Sequence, residues 1–246
     1  MHLHRFFIEP SQVCDGQISI VGPDARQIRT VLRLKKGESI AVLDGSGVCY
    51  RAEICEIGKD CVTAMVCEVS RPDTEPGIYL TLAQGLPKGE KSDLVIQKGT
   101  ELGISEYVGI ISARSVVRLT NSSSRQTRWR RIAKEASEQC GRVKIPVISD
   151  IIGFSDALEL IGKHDLAIMA WEEESATLLS SVLRDNSSVK TVVLFIGPEG
   201  GFTPDEANAA KSAGAKLVSL GRRVLRTETA ALAASAIILN ELEGHL

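Results

Sequence analysis

The sequence predicts an α/β protein in two parts: a small β-rich domain over residues 1–72 and a larger domain with a mostly parallel sheet over 73–246. Three observations carry this. Residues 1–72 hold short apolar runs separated by turn signals. Arg71-Pro72-Asp73-Thr74-Glu75-Pro76-Gly77 then places two prolines and a glycine within seven residues, which breaks any regular element. Beyond it, apolar runs alternate with helical patterns, as strands joined by helical crossovers do.

In the first part the strands are Phe6–Ile8, Gln17–Ile20, Ser39–Leu43, Cys49–Ile57 and Cys61–Val69. Asp44-Gly45-Ser46-Gly47 is a hairpin connector, and one helix falls near Asp24–Leu32. This pattern predicts a small β-barrel. In the second part the strands are Tyr79–Ala83, Tyr107–Ile111, Leu166–Ala170, Val192–Ile196 and Lys216–Leu220. The helices are Lys91–Leu102, Arg125–Cys140, Phe154–Ile161, Ala176–Arg184, Pro204–Ala213 and Glu228–Leu242. The helix at Pro204 has the best-marked start: Thr203 as N-cap, Pro204 at the first position, Glu206 closing a capping box. In the last helix, Leu232, Ala236 and Leu239 form one stripe with Ala233 beside it, suited to close packing on another helix or a second subunit.

The chain has 246 residues, enough for a full core. It has no apolar run near ~18 residues, so no membrane span is expected. MHLHRFFIEP lacks the hydrophobic region of an export signal. The six cysteines form no C-x-x-C pair. Cys49, Cys55, Cys61 and Cys67 are expected to be small buried hydrophobes, not metal ligands, because no nearby histidine completes a zinc set. Free thiols fit a reducing cytoplasm.

Net charge is −2, but its distribution is uneven. Residues 1–72 balance nine basic against nine acidic side chains. Residues 111–145 carry nine basic ones, Arg118 among them, against Glu135 and Glu138. Residues 151–190 reverse the sign, with three basic and seven acidic. The basic segment can form a footprint for phosphate backbone, and Asn121–Ser124 reads as a loop beside it.

Two glycine-bearing turns follow strands directly. Gly197-Pro198-Glu199-Gly200-Gly201 follows Val192–Ile196, and Gly221-Arg222-Arg223 follows Leu217–Leu220. Glycine lets a ligand approach the main chain, and in open α/β sheets ligands bind outside the carboxyl ends of the strands. The turns match neither G-x-G-x-x-G nor G-x-x-x-x-G-K-[ST], which disfavours a dinucleotide fold or a P-loop ATPase.

Ile196–Phe202 (IGPEGGF) together with Leu220–Ala230 (LGRRVLRTETA) resembles the signature pair of the SPOUT methyltransferases, and within them the RsmE-type 16S ribosomal RNA uridine-N3 methyltransferases. Gln84–Lys88 (QGLPK), Gln97–Gly103 (QKGTELG), Glu135–Arg142 (EASEQCGR) and Val31–Gly37 (VLRLKKG) agree, so the resemblance spans nearly the whole chain. Gln27 departs from it, standing where the family usually has a histidine. The resemblance implies a PUA-like N-terminal domain, a C-terminal trefoil knot, a homodimer and S-adenosylmethionine as methyl donor. The cofactor roles it implies fall on Met169, Ala170, Trp171, Gly197, Glu199, Gly201, Leu220, Gly221, Leu225 and Thr229. The partner it implies is 16S ribosomal RNA in the small ribosomal subunit. Candidate contacts are Arg5, Arg29, Arg33, Lys88, Lys91, Arg114, Arg128, Arg131 and Arg142.

Uridine N3 is protonated at neutral pH, so its methylation needs a base or a cationic clamp. His2, His4, His164 and His245 all lie outside the glycine motifs. The expected clamp is therefore Arg226, with Arg222 or Arg223, and the candidate carboxylate is Glu199 or Glu228. Glu228 also fits the first turn of a helix, where acids are favoured. Trp129 and Phe202 are the available stacking surfaces, although both also read as packing. Two other readings stay open: a non-catalytic RNA-binding or ribosome-assembly protein, and a related methyltransferase acting at another RNA position.

Overall fold

The structure is a computed structural model that describes residues 3–116 and 122–243; Arg118 lies outside them. The chain forms two compact units. One is Met1–Glu75 with Ser137–Ile145, and the other is Pro76–Ala136 with Pro146–Leu246.

The first unit is a curled six-stranded sheet. Its strands are β1 (Arg5–Phe7), β2 (Val13–Cys14), β3 (Gln17–Val21), β4 (Ser39–Leu43), β5 (Cys49–Ile57) and β6 (Cys61–Ser70), in the order β1-β4-β5-β6-β3-β2. Only β1 and β4 pair in parallel; the other pairs are antiparallel. Helix α1 (Gly22–Arg26) continues through a π-helical turn over Gln27–Val31 and lays Ile28 on the sheet. One face buries Ile18, Ile20, Ile40, Val42, Ala52, Ile54, Val62 and Ala64.

That pattern corrects the cysteine expectation. Buried positions in β5 and β6 are even-numbered, whereas all four cysteines are odd-numbered. Alternation of side chains in a strand therefore turns them to the outer face. Cys49, Cys55 and Cys61 are half-buried, and Cys67, Cys14 and Cys140 are exposed.

The second unit is a parallel sheet. Its strands are β7 (Tyr79–Gly85), β8 (Glu106–Ile111), β9 (Val147–Ile148), β10 (Ile152–Gly153), β11 (Leu166–Ala170), β12 (Thr191–Ile196) and β13 (Lys216–Val218). The order is β10-β8-β7-β12-β11-β13, with β9 also on β8, and every pair is parallel. The central strands β7 and β12 are buried nearly throughout, which is why they read as unbroken apolar runs. The longer helices are α2 (Lys91–Leu102), α3 (Ser122–Cys140, its last turn in the first unit), α5 (Leu179–Asp185), α6 (Pro204–Ser212) and α7 (Thr227–Leu242), with the short α4 at Phe154–Ala157.

Several boundaries moved for visible reasons. Ser122–Ser124, expected as loop, open α3. The helix expected from Ala176 begins at Leu179, because Glu174 first holds the Ala176 and Thr177 N–H groups at 2.7 and 3.0 Å. The capping box at α6 forms as expected, and Glu206 also accepts from the Ala113 N–H at 2.8 Å. In α7 the buried residues are Thr227, Ala230, Ala231, Ala234, Ser235, Ile238, Leu239 and Leu242. Of the expected stripe, Leu239 is buried as expected, while Leu232, Ala236 and the adjacent Ala233 form a half-buried flank, since α7 packs on α2, α5, β7 and β12 together. No helix among the described residues is long and apolar enough to cross a membrane.

Glu75 ties the first unit's two segments together. Its carboxylate accepts from Arg142 Nη2 at 2.7 Å and from the Val143 and Lys144 N–H groups at 2.9 and 3.1 Å. The Arg142 side chain is 7% exposed. Removing Glu75 takes one acceptor from a buried cation and the acceptor of two backbone N–H groups, each unmade bond costing roughly 1–3 kcal/mol. Glu75→Ala is therefore expected to destabilise this unit by about 3 kcal/mol, read as a lower urea midpoint.

Candidate functional site

A cavity of about 750 Å³ opens where β11, β12 and β13 end. Its walls come from three segments. Ala170, Trp171, Glu172 and the Glu174–Leu178 stretch follow β11. The Gly197–Gly201 turn with Phe202 follows β12. Ser219 to Thr227, with Ala230, follow β13, and Lys91 enters from α2.

The first turn is folded so tightly on itself that side chains would not fit. A Cβ on Gly197 would lie 3.0 Å from the Gly201 Cα and carbonyl carbon, and one on Gly85 would run into Pro198. Gly201 has φ +67° and closes the turn by donating its N–H to the Pro198 carbonyl at 2.9 Å. A Cβ there would also meet the Glu172 carboxylate at 2.8 Å. Behind it, Trp171 is fixed at both ends, its indole N–H on the Phe202 carbonyl at 3.3 Å and its backbone N–H on Val218 at 3.1 Å.

The second turn is open. Gly221 has φ +115° with nothing near its Cβ position. Arg222, Arg223, Val224 and Arg226 are exposed, and among the described residues none of the three arginine side chains has a hydrogen-bond or ion-pair partner. Arg226 is the N-cap of α7 and makes no side-chain cap, so the helix's first N–H groups and their partial positive charge lie beside it.

Lys91 joins the first turn to the start of α7 electrostatically. Its Nζ donates to Glu199 at 2.8 Å and lies 3.6 Å from Glu228. The Lys88 N–H adds a bond to Glu199 at 3.1 Å. Burial opposes ionisation of Glu199 most strongly, but the bonds from Lys91 and from backbone N–H groups outweigh it, so its carboxyl sits below the ordinary range. Bonding to Glu199 in turn raises the Lys91 ammonium. Glu228 Oε2 is buried and accepts no hydrogen bond.

Most residues expected at a cofactor site line this cavity: Ala170, Trp171, Gly197, Glu199, Gly201, Leu220, Gly221 and Leu225, together with Arg222 and Arg226. Met169 and Thr229 do not. Met169 points into the core beneath the sheet, and Thr229 faces outward on α7.

The basic residues divide by their partners. Arg142 is buried on Glu75 and is a structural ion pair, not a surface phosphate contact. Arg128 bonds Glu90 at 2.9 Å and also Asp93. Arg114 donates to the Gly200 carbonyl at 2.7 Å and thus braces the first turn. Arg131 lies 3.8 Å from Glu135. Lys88 is exposed, and Lys91 lines the cavity. In the first unit Arg33 is exposed and Arg29 is half-buried, donating to the Lys59 carbonyl at 2.8 Å, while Arg5 packs by Gly141. Trp129 and Phe202 are both 1% exposed and serve as core, so neither offers a stacking surface. Sequence reasoning missed Glu172, Ser219, Gln84 and Thr227; for the last two, membership of the QGLPK and LRTETA motifs was the available signal.

A family described as an RNA methyltransferase domain matches residues 74–239, and one described as an RNA methyltransferase PUA domain matches residues 22–66. A ribosomal RNA small subunit methyltransferase E from Bacillus subtilis is 33% identical, covering 98% of each chain. Its counterpart from Synechocystis is 32% identical, over 98% of this chain and 78% of its own. The structure of the same-named protein from Neisseria gonorrhoeae bound to S-adenosyl methionine superposes with a TM-score of 0.88 at 32% identity, over 97% of this chain and 98% of that one. A putative methyltransferase from Legionella pneumophila, also with bound cofactor SAM, gives 0.88 at 29% identity over 97% of each chain.

The Lys91–Glu199 contact has a measurable signature. A carboxyl depressed in the folded state contributes stability above its ordinary value, 4.5, and loses it as pH falls through the folded value. Lys91→Met is expected to move the Glu199 titration upward in carboxyl-carbon NMR and to shrink that acid-side loss. An unchanged titration would mean that Lys91 does not hold the carboxylate.

Proposed function

The chain belongs to the ribosomal RNA small subunit methyltransferase E family of RNA methyltransferases, and on that basis we propose that it transfers a methyl group from S-adenosylmethionine to N3 of a uridine in 16S ribosomal RNA. The observation that carries this reading is the junction of a glycine cradle, in a cavity of about 750 Å³, with three unpaired arginines.

The residues present fit the cofactor. Gly197, Gly201 and Gly221 leave main chain open to a ligand, and Ala170, Trp171, Ile196, Leu220 and Leu225 supply apolar walls for a purine. Glu172 and Glu174 place negative charge in the same cavity, suited to a cationic group. Bound S-adenosylmethionine supplies an electrophilic methyl carried on positively charged sulfur. The protein's part is to hold the base in line, where positioning supplies much of the acceleration, and to manage the N3 proton.

Arg226 is assigned as the clamp on a uracil carbonyl, with Arg222 as second donor. Charge that develops on that oxygen as N3 loses its proton is stabilised by fixed cations and by the α7 N-terminus. The candidate proton acceptors are Glu199 and Glu228, and Glu199 is the better placed. Glu199 lines the cavity and is held ionised by Lys91 and the Lys88 N–H, whereas Glu228 does not line it and its unbonded Oε2 is buried 3.6 Å from Lys91. The exposed cations Arg33, Lys88 and Arg131, with half-buried Arg29, are left for phosphate. In this reading the C-terminal segment is threaded as a trefoil knot and the protein is a homodimer. The half-buried flank of α7 with exposed Ile237 supports the dimer, and sedimentation equilibrium tests it.

Calorimetry with S-adenosylmethionine is expected to show micromolar-scale binding that Gly197→Val abolishes, because a side chain there meets Gly201. No binding by the intact protein would leave only the RNA-binding reading. Arg226→Ala is expected to keep cofactor affinity while cutting turnover at least tenfold, about 1.4 kcal/mol of transition-state stabilisation; equal losses in both would remove it from the chemistry. Mass mapping of ribosomal RNA with and without the protein identifies the uridine, and loss of a methyl at another base would replace this substrate.

A further inference from the structure

One buried polar chain runs beneath the cavity and joins three elements. Gln84, the next-to-last residue of β7, is fully buried, and its Nε2 donates to Thr227 Oγ1 at 3.0 Å. Thr227 is the first residue of α7, and its hydroxyl donates to the Gly197 carbonyl at 2.6 Å. The direction of the chain is forced. A threonine hydroxyl has a single proton, which goes to the carbonyl, so the glutamine must present its NH₂ end. Gln84 Oε1 is thereby left with no partner among the described residues. A buried acceptor without a bond is costly, so this arrangement persists for what the other end of the side chain holds.

What it holds is unusual as a peptide. The Gly197–Pro198 bond carries no N–H, because Pro198 is the residue after it. Its carbonyl is the only polar group on that plane, and Thr227 captures it. With the plane fixed, Pro198 is seated against Gly85 and the turn closes through Gly201. Gly197 and Thr227 both line the cavity, and Thr227 lies between Arg226 and Glu228.

We propose that Gln84 and Thr227 are positioning residues: a buried latch that locks the glycine cradle to the start of α7, so that cofactor binding and the alignment of Arg226 are set by the same hydrogen bonds. The proposal rests on the cofactor reading above. Gln84 is buried outside the cavity and acts through Thr227; Thr227, at the cavity wall, acts through the Gly197 carbonyl and the helix start.

The test measures S-adenosylmethionine affinity by calorimetry, together with thermal unfolding, on the full chain. Thr227→Val keeps the shape and removes both bonds; a tenfold weaker Kd is expected, or about 1.4 kcal/mol. Thr227→Ser restores the hydroxyl and is expected to bind within about twofold of the intact protein. Gln84→Met removes only the outer bond, so a loss of roughly threefold is expected. The double variant Thr227→Val with Gln84→Met is expected to be no weaker than Thr227→Val alone, since the two act as one unit. Unchanged affinity in Thr227→Val, or a Thr227→Ser as weak as Thr227→Val, overturns the latch, and so does an additive double variant. If Thr227→Val does not fold, Thr227→Ser against Gln84→Met decides: the first near intact and the second weaker supports the latch, and any other order removes it. Absence of binding by the intact protein removes the cofactor reading, and the latch's role with it.

Discussion

The site depends on one steric constraint, the absence of side chains where β12 ends. Gly197 and Gly201 approach each other so closely that a Cβ on Gly197 would lie 3.0 Å from its opposite, and a Cβ on Gly85 would lie closer still to Pro198. A parallel sheet brings the carboxyl ends of β7, β11, β12 and β13 to one edge, which by itself makes only a crevice. The missing Cβ atoms let the main chain of one strand end fold back far enough to leave a cavity bounded by the next. The fold supplies the location, and the glycines make it usable.

Charge then sorts the two turns into different roles. The first turn is tied down: Arg114 holds Gly200, and Lys91 and Lys88 hold Glu199. The second carries Arg222, Arg223 and Arg226 without a counter-charge among the described residues. Uncompensated cations on an exposed loop repel one another, and an anionic partner relieves that repulsion. A binding cradle and an anion-seeking arm thus sit on neighbouring strand ends, which is the division a group transfer to a polyanion requires.

Much of this was legible in the sequence. Strand ends, the capping box at Thr203 and the glycine turns all followed from local rules, and most residues expected in the cavity are there. What was not legible depended on which way a side chain turns or who stands opposite it. The four regularly spaced cysteines fall on the outer parity of their strands, a matter of one residue of register. Of the stripe in α7, Leu239 is buried as expected, but Leu232 and Ala236 are only half-buried because that helix packs on four elements at once. The basic segment lost part of its force because Arg128 and Arg142 pair with acids outside it, at Glu90 and Glu75. A count of charges along the chain cannot see partners that come from elsewhere.

The same point separates the arginine proposed for the chemistry from a structural one. Arg142 and Arg226 look alike in composition, each in a basic context. Burial decides between them: Arg142 is taken out of water where it lies, and Glu75 answers its charge there. Arg226 is solvated when free, so the fold does not require a partner for it, and its charge stays available. Its backbone, by contrast, is not free, because the next residue is held to Gly197. A fixed main chain carrying an unpaired cation is the arrangement that electrostatic stabilisation of a developing anion needs, since the charge is in place before the reaction and little is lost in reorganising it.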